Sequence, residues 1–509
     1  MSGALRPGAA GLGTLPALLY RHASETTRRP ALQYLGRTFS YGKLWRRVER
    51  VSAHLAGTWG IQPGDRVGTL SLNHELQLAM LFACARIGAM FVPMNFRLAV
   101  PELRAIAEHA GLRAIFHDDS HADMASAVAS GKAACAHIDR LIAQPAPFGL
   151  AFAPVPDDAP VLLAYTSGTT GKPKGAVHTQ AGLLANARAS WWAHGMRADD
   201  HILSVLPMFH VGGLCIQTLP ALLAGAQVTL HDRFTPGGWL DAVARQRPTL
   251  SLMVPATLRA VLEHPDWADA DLSSLRGVMA GSSTIPLAYI EAFHARGVPL
   301  GQVYGATETG PVSVVLRLDQ AMARPGYAGW PQPEAEVRLV GADGEEVPQG
   351  AVGELWVRGA NVMQGYWARQ DASFVDGWFH SGDLAHRDAD GCIEVVGRSK
   401  DMIISGGENI YPAEIENVLV GMPGVQECAV VGVPDPRWGE VPVAVIVPAP
   451  GADRAALEGV ILREALAERV ARFKLPREVV LLDDMPRSAL GKVLKPQLRA
   501  MLEARQPAR

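Results

Sequence analysis

Tyr165-Thr-Ser-Gly-Thr-Thr-Gly-Lys-Pro-Lys-Gly175 is the stretch from which the rest of the chain can be read. It follows a short apolar run, residues 162–165, that has the length and composition of a strand. Three glycines let backbone N–H groups turn toward one centre, four Ser and Thr hydroxyls add donors, and Lys172 and Lys174 add positive charge. Converging donors with little steric bulk suit a polyphosphate. The spacing is not that of the G-x4-G-K-[ST] loop. Read by itself, the stretch would also pass for a flexible Gly/Thr turn.

Outward from this loop, short apolar strands alternate with helical patterns. Residues 67–72 read as a strand, 74–87 as a helix and 89–93 as a strand. The series returns at 202–206, 211–224 and 226–230, and again at 275–280, 286–296 and 299–304. Strand–helix–strand units of this kind build parallel sheets covered by helices. A Gly-Ala step precedes the second strand in the first two units, at Gly88-Ala89 and Gly225-Ala226, which hints at two related subdomains. After about residue 328 the texture changes. Residues 335–340 and 353–358 read as antiparallel strands. Beyond residue 400 come a helix at 411–419, strands at 425–433 and 441–447, and a long amphipathic helix over 454–472. The expected fold is α/β, with a large N-terminal domain of helix-covered mixed sheets and a small β subdomain over residues 1–399. A small mobile α+β domain is expected over residues 400–509.

Composition narrows the function. The 509 residues carry 47 Lys and Arg against 50 Asp and Glu, so neither a nucleic-acid footprint nor a polybasic membrane patch is expected. The five cysteines are scattered without a C-x-x-C pair, against a zinc site or a disulfide framework, and a reducing cytoplasmic compartment is expected. The Gly/Ala-rich start lacks the charge-then-apolar order of a secretory signal. Residues 211–230 are uncharged and of spanning length, but Gly212, Gly213, Pro220 and Gly225 make them a buried helix running into a strand.

The eleven-residue loop resembles, nearly letter for letter, the signature of the acyl-adenylate-forming enzymes. The resemblance extends over essentially the whole chain and points to the acyl-CoA synthetase, or fatty-acid–CoA ligase, branch. It implies that ATP and Mg2+ activate a carboxylic acid as acyl-AMP and that coenzyme A then takes the acyl group. In the loop it assigns nucleotide contacts to Thr166, Ser167, Gly168, Thr169, Thr170 and Lys174. Further nucleotide contacts follow at Gly281-Ser282-Ser283 and in Gln302-Val-Tyr-Gly-Ala-Thr-Glu-Thr309. There, Gln302 and Gly305 are implied nucleotide contacts, Tyr304 stacks on the adenine, Thr307 touches the α-phosphate, and Glu308 holds Mg2+ as a hard oxygen ligand.

In Trp378-Phe-His-Ser-Gly-Asp383 the resemblance gives Asp383 the ribose hydroxyls, and the sequence reads there as a tight turn. Arg398 is implied as a ribose or phosphate contact and Lys400 as an interdomain hinge. Ser405, Gly406, Gly407 and Glu408 are implied to line the coenzyme A channel. Ile404 stands where some aromatic-acid ligases have Lys, so no role is carried over to it. In Pro486-Arg-Ser-Ala-Leu-Gly-Lys492, the resemblance makes Lys492 the principal catalytic residue, alongside Lys174, Thr307 and Glu308. An ammonium there would neutralise charge as the carboxylate meets the phosphate.

Pro207-Met-Phe-His-Val-Gly-Gly213 marks the acid pocket in relatives, so Phe209, His210, Val211, Gly212 and Gly281 are the candidate lining. Amino-acid-activating relatives have Asp where this chain has His210, and a buried ammonium would lack its partner. The apolar neighbours Leu214, Met253, Val254, Met279 and Ala280 suit a medium-to-long fatty acid. An aromatic acid of the cinnamate or ferulate type is the alternative, as is transfer to a carrier protein instead of CoA. A catalytically silent nucleotide-binding protein is a third reading, opposed by the intact Lys174, Glu308, Asp383, Arg398 and Lys492. A homodimer is one permitted assembly.

Overall fold

A computed structural model describes residues 13–143, 147, 150–166, 174–369, 373–457, 466–467, 469–487 and 492–505. Two large sheets dominate the N-terminal part. The first runs in the order Gly365–Tyr366, Lys174–Thr179, Pro160–Thr166, Met90–Pro93, Arg66–Leu70, Leu112–His117, Ala134–His137. The second runs Trp330–Pro331, Val314–Leu316, Leu300–Tyr304, Gly277–Gly281, Leu250–Met253, His201–Ser204, Gln227–Leu230, Pro30–Tyr34, Arg37–Ser40. From Leu300–Tyr304 across to Pro30–Tyr34 every pairing is parallel, and antiparallel strands close both edges. The sheets are therefore mixed and helix-covered, as the strand–helix alternation predicts.

The two sheets enclose a shared helical layer. Helices Leu15–Glu25, Tyr41–Ala53, Glu75–Ile87, Gln180–His194 and Leu219–Ala224 contribute to one core with Leu32 and Val228 of one sheet and Val67, Phe91 and Leu162 of the other. Glu75–Ile87 is buried nearly all round, which is why its sequence is apolar without a polar face. The repeated Gly-Ala step has one physical cause in both places. Gly88 (φ 75°) and Gly225 (φ 84°) end their helices in the left-handed conformation, where a side chain is strained. The following Ala89 and Ala226 amides bond back to Cys84 O and Ala221 O at 3.0 and 2.9 Å. Each helix is thus stopped and turned into a parallel strand.

Residues 211–230 resolve into a π-helix, Gly212–Thr218, the α-helix Leu219–Ala224 and the strand Gln227–Leu230. No helix among the described residues is long and apolar enough to cross a membrane. Ala335–Val340 and Gly353–Gly359 pair antiparallel as expected, in a smaller sheet with Trp378–Arg387 and Ile393–Arg398. The chain then crosses the 3-10 turn Ser399–Asp401 into a last sheet, built on the long hairpin Val425–Asp435 and Gly439–Pro448.

Two readings of local structure need correction. The helix expected over 454–472 begins as a 3-10 turn, Arg454–Leu457, and Arg472–Lys474 is another 3-10 turn, so neither end is α-helical. Residues 458–465 and 468 lie outside the described residues, and 466–467 between them are α-helical. Asp383 is not in a tight turn but inside the strand Trp378–Arg387. There Glu354 and Trp356 face Leu384 and His380, so two steps of one strand span four of the other and Ser381-Gly-Asp383 bulges. Gly382 (φ 70°) makes the bulge, and its N–H donates to Glu354 Oε1 at 2.9 Å.

Candidate active site

The parallel strands His201–Ser204, Leu250–Met253, Gly277–Gly281 and Leu300–Tyr304 end along one edge of their sheet, where open α/β folds bind ligands. Sterics bring these ends close. A Cβ added at Gly281 would stand 2.5 Å from Val303 O, and one at Gly305 2.5 Å from Pro311 O. Ser282, next in chain and exposed, holds φ 78°, a strained value for a residue with a side chain. Ser283 is exposed beside it.

The loop expected to hold phosphate joins two antiparallel strands, with Thr166 paired to Lys174 at its mouth. Ser167, Gly168, Thr169 and Thr170 lie outside the described residues. Lys174 Nζ sits 5.0 Å from the Tyr366 ring centroid. The Tyr366 hydroxyl donates to Glu308 Oε1 at 2.6 Å. Lys174 and Glu308 therefore meet through Tyr366, a residue that sequence reasoning missed. It belongs to the short strand Gly365–Tyr366, which pairs with the strand after the loop. Two residues alone carry no strand signal, and only the Gly-Tyr-Trp aromatic pair marks the spot. Beneath Thr307, which is 8% exposed, lies buried His178. Burial pushes its imidazole down to about 4, against the pull of the Thr307 backbone.

On the other side, the Tyr304 hydroxyl donates to Asp383 Oδ2 at 2.7 Å, and Arg398 Nε is 2.8 Å from Asp383 Oδ1. Asp383 and Arg398 are cross-strand partners, so the bulge places this ion pair. Burial raises the Asp383 carboxyl; Arg398, the Tyr304 hydroxyl and Lys492 hold it back. Gln302 has its Nε2 buried without an acceptor among the described residues.

Lys492 ties the halves together. Its side chain is open to solvent, yet protein crowding it on one side lowers its pKa first, and the Arg398 and Lys400 charges lower it further. Asp383 and Glu308 pull the other way. The His210 imidazole is pushed down to about 4, by burial first and then by Lys492. One ammonium is thus within the field of the Asp383–Arg398 pair, of Glu308 and of His210.

The turn expected to line the acid pocket is Pro207–Gly213. His210 Nδ1 accepts from the Gly212 amide at 3.0 Å, which selects the tautomer protonated on Nε2. Phe209 is buried and meets Phe96 edge to face at 5.2 Å, with Arg97 over both rings. Val211 and Gly212 are buried. The turn Ser405-Gly-Gly-Glu408 closes an exposed hairpin within the last sheet, and Gly406 N–H donates to Trp438 O at 2.8 Å. Lys400 is exposed on the connecting turn.

Residues 19–367 match the AMP-binding enzyme family, and residues 414–492 match the AMP-binding enzyme C-terminal domain. The chain belongs to the AMP-binding enzyme family. It is an AMP-forming acyl-CoA synthetase, using ATP with Mg2+ and taking coenzyme A as co-substrate. Its sequence is 44% identical over 500 residues to an indoleacetate–CoA ligase of Aromatoleum aromaticum, covering 95% of this chain and 97% of that one. It is 44% identical over 498 residues to a feruloyl-CoA synthase of an Amycolatopsis species, covering 96% and 98%. The o-succinylbenzoate CoA synthetase of Bacillus subtilis, in complex with ATP and magnesium ion, superposes with a TM-score of 0.86. That protein is 33% identical, with 94% of this chain and 98% of its own covered.

The donor set fits this synthetase's chemistry. Glu308 offers an oxygen ligand close to Lys174, and a hard cation such as Mg2+ would be held by such an oxygen.

Proposed function

We propose that this enzyme is an aryl-acid–CoA ligase, acting on an arylacetate or cinnamate-type acid in place of the medium-to-long fatty acid expected from the apolar lining. The observation that carries the reading is the 44% identity, over nearly the whole of both chains, to two enzymes named for aromatic acids. Apolar residues around the pocket serve a flat ring as well as an alkyl chain, and the Phe96–Phe209 edge-to-face pair gives that pocket a rigid aromatic shoulder.

In the first half-reaction a substrate carboxylate oxygen attacks the α-phosphorus, the bond to the bridging oxygen breaks, and pyrophosphate leaves. Two anions must approach, so catalysis rests on positioning and positive charge. Lys174 and Lys492 supply the charge from this chain, Thr307 and the Ser282-Ser283 turn hold the α-phosphate, and Asp383 accepts from the ribose with Arg398 beside it. Glu308 would hold Mg2+, which would add charge neutralisation at the phosphates. In the second half-reaction the coenzyme A thiol adds to the acyl carbon, AMP departs and the thiol proton is lost to solvent. The Ser405–Glu408 turn faces outward here, and rotation of residues 400–509 about Lys400 would bring it to the acyl-AMP.

The test is a pyrophosphate-release screen over fatty, arylacetic, cinnamic and dicarboxylic acids, with and without coenzyme A. An arylacetate or cinnamate should give the highest kcat/KM, with an aryl-CoA product. A fatty acid ranked first would sink the aryl reading.

A further inference from the structure

The turn that carries Phe209 and His210 is gripped by a side chain from the other large sheet. Asn73 lies in the loop between the strand Arg66–Leu70 and the helix Glu75–Ile87 and is only 4% exposed. Its Nδ2 donates to Leu206 O and to His231 O, each at 3.0 Å, and its Oδ1 accepts from Met208 N at 2.7 Å. Its own backbone N–H donates to Asp232 O at 3.1 Å. The three side-chain partners fix the amide's orientation, because a flip would set oxygen against two carbonyls and nitrogen against an N–H.

Leu206 O and Met208 N flank Pro207. In a parallel sheet one residue bonds the carbonyl before its neighbour and the N–H after it, and the Asn73 amide does the same to Pro207. It thus stands in for a neighbouring strand where the chain leaves the sheet after His201–Ser204, and it ties that exit to the end of Gln227–Leu230.

A second support starts from the same loop. Leu72 N donates to Asp118 Oδ2 at 2.8 Å, and Asp118 Oδ1 is bonded to His121 Nδ1. The His121 ring lies 4.7 Å from Phe96, which meets Phe209 edge to face. Leu72-Asn73 therefore reaches Met208-Phe209 by two routes. The base of both is rigid, since His74 caps the helix Glu75–Ile87 and that helix is buried nearly all round.

We propose that Asn73 is a positioning residue for activation of the acid, its amide holding the Pro207–Gly213 turn so that Phe209 and His210 face the reacting carboxylate. This rests on the reading of that turn as the acid's, and not on the acid being aromatic. Freeing the backbone at residues 206–208 would displace both side chains, and a displacement near 1 Å can cost about 100-fold.

Asn73→Asp keeps the size and the acceptor for Met208 N but sets oxygen against both carbonyls. Asn73→Ser, neutral and smaller, repeats the test without a buried charge. The probe is whichever of indole-3-acetate, 4-hydroxycinnamate and decanoate the unmodified enzyme turns over fastest in pyrophosphate release. In both variants KM for the acid should rise by about 10-fold or more while KM for ATP stays within about twofold. A merely structural residue would lower the active fraction and leave both KM values alone. An unchanged acid KM, or equal rises for both substrates, overturns the proposal. Hydrogen exchange on the unmodified enzyme tests the clamp without any variant. The Met208 amide should exchange at least about 100-fold more slowly than an unprotected one, and exchange at the unprotected rate overturns the proposal. Gly213→Ala, whose Cβ would stand 2.3 Å from Pro207 O, disturbs the turn directly and separates the two claims. If it leaves the acid KM unchanged, the turn is not the acid's and both claims fall. If it raises the acid KM and the Asn73 variants do not, only the role of Asn73 falls.

Discussion

Tyr366 links two charges that lie far apart in the chain. Its ring faces the Lys174 ammonium and its hydroxyl is bonded to Glu308. Tyr366→Phe keeps the ring and deletes the hydroxyl. A hydrogen bond to a charged group contributes about 1.5–3 kcal/mol, so kcat/KM for ATP should fall by about 10–100-fold and the Mg2+ needed for half-activity should rise. Activity equal to wild type at limiting Mg2+ would show that the bond does not hold Glu308 for the metal. Lys492→Ala makes a sharper distinction. Removing the ammonium should slow adenylation by about 100-fold or more while leaving thioester formation from preformed acyl-AMP within a few fold. Equal losses in both steps would refute that division of labour. Lys174, Glu308, Asp383, Arg398 and Lys492 are all legible as motif letters. Tyr366 is not, because its partner Glu308 lies 58 residues away and no local pattern ties them.

Elements were legible where one face or both are buried. The hairpin Val425–Asp435 and Gly439–Pro448 shows in its β-branched runs, and the helix at Glu75 shows in its unbroken apolar stretch. The bulge at Ser381–Asp383 was misread because Ser-Gly-Asp carries the same turn chemistry whether it ends a strand or kinks one. The π-helix was foreseen only as helix, since an extra residue per turn leaves no mark in a uniformly apolar sequence. Its geometry yields a prediction. A Cβ at Gly213 would stand 2.3 Å from Pro207 O and 2.7 Å from Leu206 O, both backbone atoms. Gly213→Ala must therefore push the Pro207–Gly213 turn outward and carry His210 with it. The KM for the acid should rise by about 10-fold or more, since a displacement near 1 Å can cost about 100-fold. The KM for ATP should stay within about twofold. At Gly212 the nearest atom is His210 Nδ1 at 3.0 Å, a side chain that can shift, so Gly212→Ala should be milder. Equal effects from the two variants would show that the turn has room the geometry denies it.

Over the whole molecule, burial between the two large sheets fixes how stability responds to acid. His74, His178, His194 and His210 are each pushed down to about 4, in every case by desolvation first. His74 accepts from Leu76 N at 3.1 Å as a helix cap, and His210 accepts from Gly212 N, so both act through an unprotonated nitrogen. Between pH 6.5 and 4 the unfolded chain binds protons on these imidazoles and the native chain does not. Stability contributed by their neutral form is therefore complete above about pH 6.5 and is lost as pH falls toward 4. Glu75 opposes this. Burial lifts its carboxyl to about 7 despite Arg47 3.2 Å away, so the native chain holds a proton there that the unfolded chain releases above pH 4.5. Asp383, also raised, acts in the same sense as Glu75. The lowered carboxyls, such as Asp271 at about 2, are exhausted only at pH values below this window. Four imidazoles outweigh two carboxyls, so unfolding near pH 5 should take up protons and Tm should fall steadily from pH 7 to pH 5. Calorimetry in two buffers of different ionisation enthalpy reads the uptake directly. A flat or rising Tm over that range, or proton release on unfolding, would mean that these histidines are charged in the native enzyme. His210 could then not stand unprotonated beside Lys492 when the acid binds.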